Sequence, residues 1–176
     1  MELLYSSNEI GKKVKGLAHS ISLLHRNDKT PIVMLGVLNG CFMFYSDLVK
    51  NLELDVECDF IRAKSYLSEG IQGPVKIIKE PESSLKDKHV YIVDDIFDTG
   101  NTVGVIIDHL EAKQIKTASV VTLVKRTKAP TQLYHSTDPS TTYRIYSCFQ
   151  TEEWLVGYGM DDDKGHMRNY PDIYCV

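Results

Sequence analysis

The chain has 176 residues, 43% of them apolar and 25% charged, and a formal net charge of -4. That length suits one domain, and that balance suits a water-soluble globular protein. The acidic surplus argues against a nucleic-acid partner, which needs a basic footprint, and no apolar run approaches the roughly 20 residues that span a bilayer.

In chain order, Ser6 or Ser7 is the expected N-cap of a first helix. Ile10, Val14, Leu17, Ile21 and Leu24 recur at helical spacing and give it an apolar face. Asn27-Asp28 stops it. After Pro31, IVMLGVL is a β-branched apolar run suited to a strand buried on both faces. Asn39-Gly40 breaks that run, and CFMFYSDLVKNL reads as a second helix. DVECDFIRAKSY is a strand, LSEGIQGP a loop by its glycines and proline, and VKIIKE a short strand. LKDK is a turn and HVYIVD a further strand. Residues 103–113 form a helix with Val103, Ile106, Ile107 and Leu110 inward, and TASVVTLV is the next strand. Residues 125–141 are polar, and YRIYSCF and EWLVGYG are extended. Strands alternating with helices predict an α/β fold with a mostly parallel sheet. No repeat or interdomain linker interrupts it.

One stretch carries chemistry: VYIVDDIFDTGNT, with three aspartates directly after a buried strand. Open α/β sheets bind ligands beyond the carboxyl ends of their strands. Asp94 to Thr102 would therefore line a site. DTGNT supplies a glycine, hydroxyls and backbone N–H groups at a helix N-terminus, which cradle a phosphate. Gly100 permits the tight turn. Acids beside a phosphate site suit a ligand that also presents sugar hydroxyls, since carboxylates only accept hydrogen bonds. They also suit Mg2+, which takes carboxylate and phosphate oxygens together. A ribose 5-phosphate satisfies both halves. A solvated turn with Asp98 as a helix cap is the plainer reading, and three acids with Thr-Gly at this spacing argue against it. Neither GxxxxGK[ST] nor GxGxxG occurs.

VYIVDDIFDTGNT closely resembles the diphosphoribosyl-binding motif of type I phosphoribosyltransferases. LGVLNGCFMF, DFIRAKSY, VVTLVKRT and EEWLVGYGMDD with Arg168 follow the order seen in the hypoxanthine-guanine branch of that family. The resemblance implies the type I phosphoribosyltransferase fold over residues 1–176, with a core at about 30–150 and a small hood from the terminal segments. It implies transfer of the 5-phosphoribosyl group from 5-phosphoribosyl 1-diphosphate to purine N9, with Mg2+ as cofactor. Asp98 is then the general base at purine N7. Phosphoribosyl diphosphate meets Asn39, Gly40, Ser65, Tyr66, Asp94, Asp95, Asp98, Thr99, Gly100, Asn101, Thr102 and Arg168. The purine meets Lys125, Trp154, Leu155 and Asp161, with Trp154 stacking and Lys125 donating to O6. Asp94, Asp95 and Asp161 are the metal positions. Asp94 stands where the family often has glutamate. Asp161 to Arg168 leaves one residue more than the family commonly has, so Asp162 competes with Asp161 for the second metal position. The family often has a cis peptide before the pyrophosphate loop, so Leu38-Asn39 is expected to be cis. Ser65-Tyr66 and the loop to Pro74 resemble a lid. A homodimer or homotetramer is implied by resemblance alone.

Three alternatives stand beside this: a xanthine-preferring enzyme, a nucleotide-binding regulator on the same fold, and a phosphate-binding module without catalysis. Cys41, Cys58, Cys148 and Cys175 form no CxxC and are expected to be reduced. The segment MELLYSSNEIGKK lacks the pattern of a secretion signal, so the cytoplasm is the expected location. The six histidines show no finger spacing and read as surface or satisfied core residues.

Overall fold

The computed structural model describes residues 1–68, 71–134, 142–162 and 164–176, with backbone alone at 65–68, 71–73, 134 and 142. A short strand, β1 (Glu2–Tyr5), precedes helix α1 (Ser7–His25). Ser6 caps α1 through a capping box: its Oγ accepts from Glu9 N at 3.4 Å, and its own N–H donates to Glu9 Oε2 at 2.9 Å. Ile10, Val14, Ala18 and Ile21 are the buried face. Leu24, expected inward, is half exposed, because the helical period passes through Ala18 and Ile21 and carries position 24 outward. Each fully buried aliphatic side chain on such a face contributes about 1.5–3 kcal/mol.

The main sheet is built by β2 (Ile32–Val37), β3 (Glu57–Ser68), β4 (Ile71–Lys79), β5 (His89–Phe97), β6 (Thr117–Lys125), β7 (Gln132–Tyr134) and β8 (Thr142–Gln150). Its order is β4-β3-β2-β5-β6-β8-β7. The inner strands β3, β2, β5, β6 and β8 run parallel, and β4 and β7 pair antiparallel at the two edges. Every residue of β2 is buried, as an apolar run covered on both faces requires. Helix α2 (Phe42–Lys50) packs with α1 over one face, around Phe44, Leu48 and Met34. Helix α3 (Asn101–Glu111) covers the other through Val103, Ile106, Ile107 and Leu110. The termini meet in a second, antiparallel sheet, β1-β10-β9, formed with β9 (Leu155–Val156) and β10 (Ile173–Cys175).

Two expectations change. LSEGIQGP is not an open loop: the hairpin ladder continues to Leu67↔Gln72 and Ser68↔Ile71. Antiparallel pairing satisfies the backbone there, and Pro74 is tolerated because β4 is an edge strand. Residues 69 and 70, at the centre of the expected lid, lie outside the described residues. The polar stretch after β6 also holds a strand, β7, too short to show a period.

Candidate active site

Strand β2 connects through α2 to β3 on one side, and β5 through α3 to β6 on the other. The order reverses between β2 and β5, and the crevice beyond their carboxyl ends is where such sheets bind ligands. The loop after β2 and the loop after β5 form its two lips.

On the first lip the Leu38–Asn39 peptide bond is cis, as expected. Gly40 follows, and a Cβ there would lie 1.6 Å from Oδ2 of Asp95. Only a bare backbone lets the two loops approach this closely. The segment at Gly159 closes on the same point: its φ is +103°, and a Cβ would meet the Gly40 carbonyl at 2.1 Å.

On the second lip β5 ends in Asp94 and Asp95. The Asp95 N–H donates to Asp94 Oδ1 at 3.0 Å, and the Ile96 N–H donates to Asp95 Oδ1 at 2.8 Å. Thr122 on β6 holds the Asp95 carbonyl through its hydroxyl at 3.0 Å. Burial pushes both carboxyl pKa values up, and the charge of Asp95 pushes Asp94 further. Hydrogen bonding with Asp94 and from the Ile96 N–H, and last the charge of Arg168, draw Asp95 part of the way back.

Beyond them Gly100 takes a left-handed conformation, φ 83°, as the N-cap of α3. Its carbonyl accepts from Gly104 N at 2.7 Å, which starts the helix and leaves the first-turn N–H groups without helical acceptors. A cleft of about 180 Å³ results, lined by Asp94, Ile96 to Val103 and the helix start. It brings together Asp94, Asp98, Thr99, Gly100, Asn101 and Thr102.

A second cleft, about 160 Å³, adjoins it across Ile96 and is lined by Asp95, Ile96, Arg126, Trp154, Leu155, Met160 and Asp161. Trp154 is 58% exposed, so it forms an open wall rather than core. Leu155 is buried in β9. Lys125 ends β6 beside Phe97 and is half-buried. Its neighbour Arg126, unnoticed in the sequence, lines the cleft and donates through Nη1 to the Glu153 carbonyl. That bond ties the end of β6 to the segment that carries Trp154. Arg126 matters through that contact to a distant backbone, which no local pattern in the sequence encodes.

Arg168 donates to the Gly159 carbonyl at 2.7 Å and pairs with Asp161 Oδ2 at 2.6 Å. Asp162 instead closes its own turn, accepting from Lys164 N at 2.9 Å and His166 N at 2.8 Å. Gly165 and Met167, which follow, have positive φ. Asp161, and not Asp162, lines the second cleft together with Asp95. Among the described residues, Asp94, Asp95 and Asp161 do not bring three ligand atoms to one point. An all-oxygen set that includes buried Asp94 and half-buried Asp95 does fit a hard divalent cation such as Mg2+. Ser65 and Tyr66 lie on β3, paired toward β4.

Strand order and crevice together define the class: the chain has the type I phosphoribosyltransferase fold. The family model of the phosphoribosyl transferase domain matches residues 2–163, and the chain belongs to that family. It is 32% identical over 179 aligned positions to a hypoxanthine-guanine phosphoribosyltransferase of Aquifex aeolicus, covering 100% of this chain and 94% of that one. Among solved structures, a hypoxanthine phosphoribosyltransferase of Staphylococcus aureus superposes with a TM-score of 0.85 at 29% identity, covering 100% of this chain and 91% of the other. A hypoxanthine-guanine phosphoribosyltransferase of Bacillus anthracis, solved with HEPES in the active site, gives 0.84 at 32% identity, with coverage of 100% and 98%.

Proposed function

We infer that the protein is a purine salvage enzyme that transfers the 5-phosphoribosyl group from 5-phosphoribosyl 1-diphosphate to N9 of hypoxanthine or guanine, releasing diphosphate. The observation that carries this reading is the adjacency of the two clefts. A cradle at a helix N-terminus and an aromatic-walled slot share Ile96, with Asp94 in the first and Asp95 in the second. Two substrates held there would meet above Asp94 and Asp95.

The 5′-phosphate sits against Thr99 to Thr102, where N–H groups and the helix dipole favour its charge. Asp94 and Asp95 accept from the ribose hydroxyls and stabilise positive charge as it develops on the sugar. Asn39 and Gly40 offer backbone to the diphosphate, and Arg168 neutralises it as it leaves; Ser65 and Tyr66 cover it from β3. The purine stacks on Trp154, with the Leu155 backbone and Asp161 toward its 2-position. Lys125 donates to O6, which adenine lacks. The N9 lone pair attacks the anomeric carbon while the carbon–oxygen bond to diphosphate breaks. Asp98 holds or takes the N7 proton. Mg2+, when bound at Asp94, Asp95 and Asp161 together with substrate oxygens and water, supplies positive charge to the leaving group. Assembly as a homodimer or homotetramer and a cytoplasmic location complete the proposal. Among the described residues, no helix is long and apolar enough to cross a membrane.

The test is direct. Purified protein with Mg2+ and phosphoribosyl diphosphate is offered hypoxanthine, guanine, xanthine and adenine in turn. Nucleotide from the first two, and none from adenine, is expected. A preference for xanthine would correct the substrate, and no nucleotide from any base would overturn the enzyme.

A further inference from the structure

The parallel strands have a second end, away from the crevice. There His89 and Thr117 open β5 and β6 as a register pair. A cavity of about 350 Å³ lies beside them, lined in part by His25, His89, Tyr91, Thr117, Arg144 and Tyr146. It is larger than either cleft of the active site.

Helix α1 ends at His25, whose ring stands 4.8 Å from that of His89, centroid to centroid. His25 Nε2 lies 2.6 Å from the Tyr91 hydroxyl. His89 Nδ1 lies 2.6 Å from the Thr117 hydroxyl, and its Nε2 2.8 Å from Asp28 Oδ2. Each ring is thus oriented by a hydroxyl on one nitrogen. That leaves Nδ1 of His25 buried with no partner. Buried polar atoms are nearly always partnered, so this one calls for an explanation. One ligand atom each from His25, Asp28 and His89 lies within 4.8 Å of the others.

We propose that His25, Asp28 and His89 form a binding site for a divalent transition-metal ion of the zinc or cobalt kind, separate from the active site. Two imidazoles and one carboxylate are a zinc-type donor set, with a fourth position left to water from the cavity. The softer imidazoles disfavour magnesium, so the site would not compete with the crevice for that ion. The Tyr91 and Thr117 hydroxyls form the outer shell that fixes each ring. The carboxyl end of α1 adds the negative pole of its dipole. Two cations oppose the ion: Lys116 Nζ is 3.9 Å from Asp28 Oδ2, and Arg144 lines the cavity. Affinity in the micromolar range is therefore expected rather than tighter binding. The site escapes sequence inspection because its two histidines come from α1 and β5, with β2, α2, β3 and β4 between them in the chain.

The experiment titrates chelator-treated full-length protein with Co2+ and follows the visible d–d bands. One equivalent, bound in the micromolar range and with the intensity of a tetrahedral nitrogen–oxygen site, is expected, displaced by Zn2+, which also raises the unfolding midpoint. His89→Asn and Asp28→Asn should each weaken binding about tenfold or more. Asp161→Asn should leave it unchanged. Circular dichroism checks folding; should His89→Asn not fold, the exposed Asp28→Asn decides. Absence of the bands, their persistence in Asp28→Asn, or their loss in Asp161→Asn would each overturn the proposal.

Discussion

A methyl group on Gly40 would stand 2.5 Å from the carboxyl carbon of Asp95 as well as 1.6 Å from Oδ2. The neighbour that must give way is one of the acids proposed to hold the ribose. Gly40→Ala should therefore lower kcat/KM by about 10²-fold, the size of loss that a displacement near 1 Å brings. Steady-state kinetics check this, and unchanged kinetics would show that Asp95 is free to move. Asp98 is a different case, since it lines the cleft at the start of α3 without being buried. An amide there can still cap the loop but cannot take a proton. Asp98→Asn should lower kcat by about 10²- to 10⁴-fold while the KM for phosphoribosyl diphosphate changes little. Both residues were legible in the sequence, because Asn-Gly and Asp-Thr-Gly after apolar strands have a mechanism attached. Gly159 and Arg126 were not. What makes them matter is a contact to a distant backbone, Gly40 for one and Glu153 for the other, and no local pattern encodes it.

At the scale of elements, the buried strands β2 and β5 were readable as continuous β-branched runs, and α3 from its inward positions. Strand β1 and strand β7 have 4 and 3 residues, too few to display alternation, so only pairing reveals them. What joins the elements is often a single polar anchor. Asp59 on β3 is buried, and it accepts from Phe60 N at 2.7 Å, from Glu82 and Ser83 N–H at 2.8 Å, and from the Ser83 hydroxyl at 2.7 Å. It fastens the connection between β4 and β5 to the sheet. Burial alone would raise its pKa, but the bonds from Ser83, Phe60 and Glu82 outweigh that and lower it. A depressed folded value means the stabilisation is complete above the unfolded value of about 3.9 and is lost as pH falls through the folded one. Asp59→Asn should cost about 1–3 kcal/mol at neutral pH. Its loss of stability below about pH 4 should be shallower than in the parent protein. Urea unfolding at the two pH values measures both effects, and parallel profiles would count against the anchor.

At the scale of the whole molecule, the terminal hood and the sheet are one device. Cys175 pairs with Leu155 on one side and Glu2 on the other, so the last strand links both ends of the chain. The Val176 N–H donates to the Trp154 carbonyl at 3.1 Å, and Ser7 N–H donates to Asp172 at 2.6 Å. Tyr158 donates to Asp47 on α2 at 2.5 Å and anchors the same segment to the core. A hood from the termini was expected from resemblance, yet its pairing could not be read, since strands of 2 to 4 residues carry almost no pattern. The consequence is specific. The cleft walled by Trp154, proposed to hold the purine, depends on the last strand, while the cleft proposed to hold the phosphate depends on β5 and α3, which the sheet holds without it. Removing residues 172–176 should raise the KM for the purine about tenfold or more, because Trp154 and Leu155 lose their backbone support, and should alter the KM for phosphoribosyl diphosphate far less. Far-UV circular dichroism should retain the signal of the main sheet and its helices. Kinetics with each substrate varied separately distinguish the outcomes: equal changes in the two constants would mean that the hood supports both clefts rather than the purine slot.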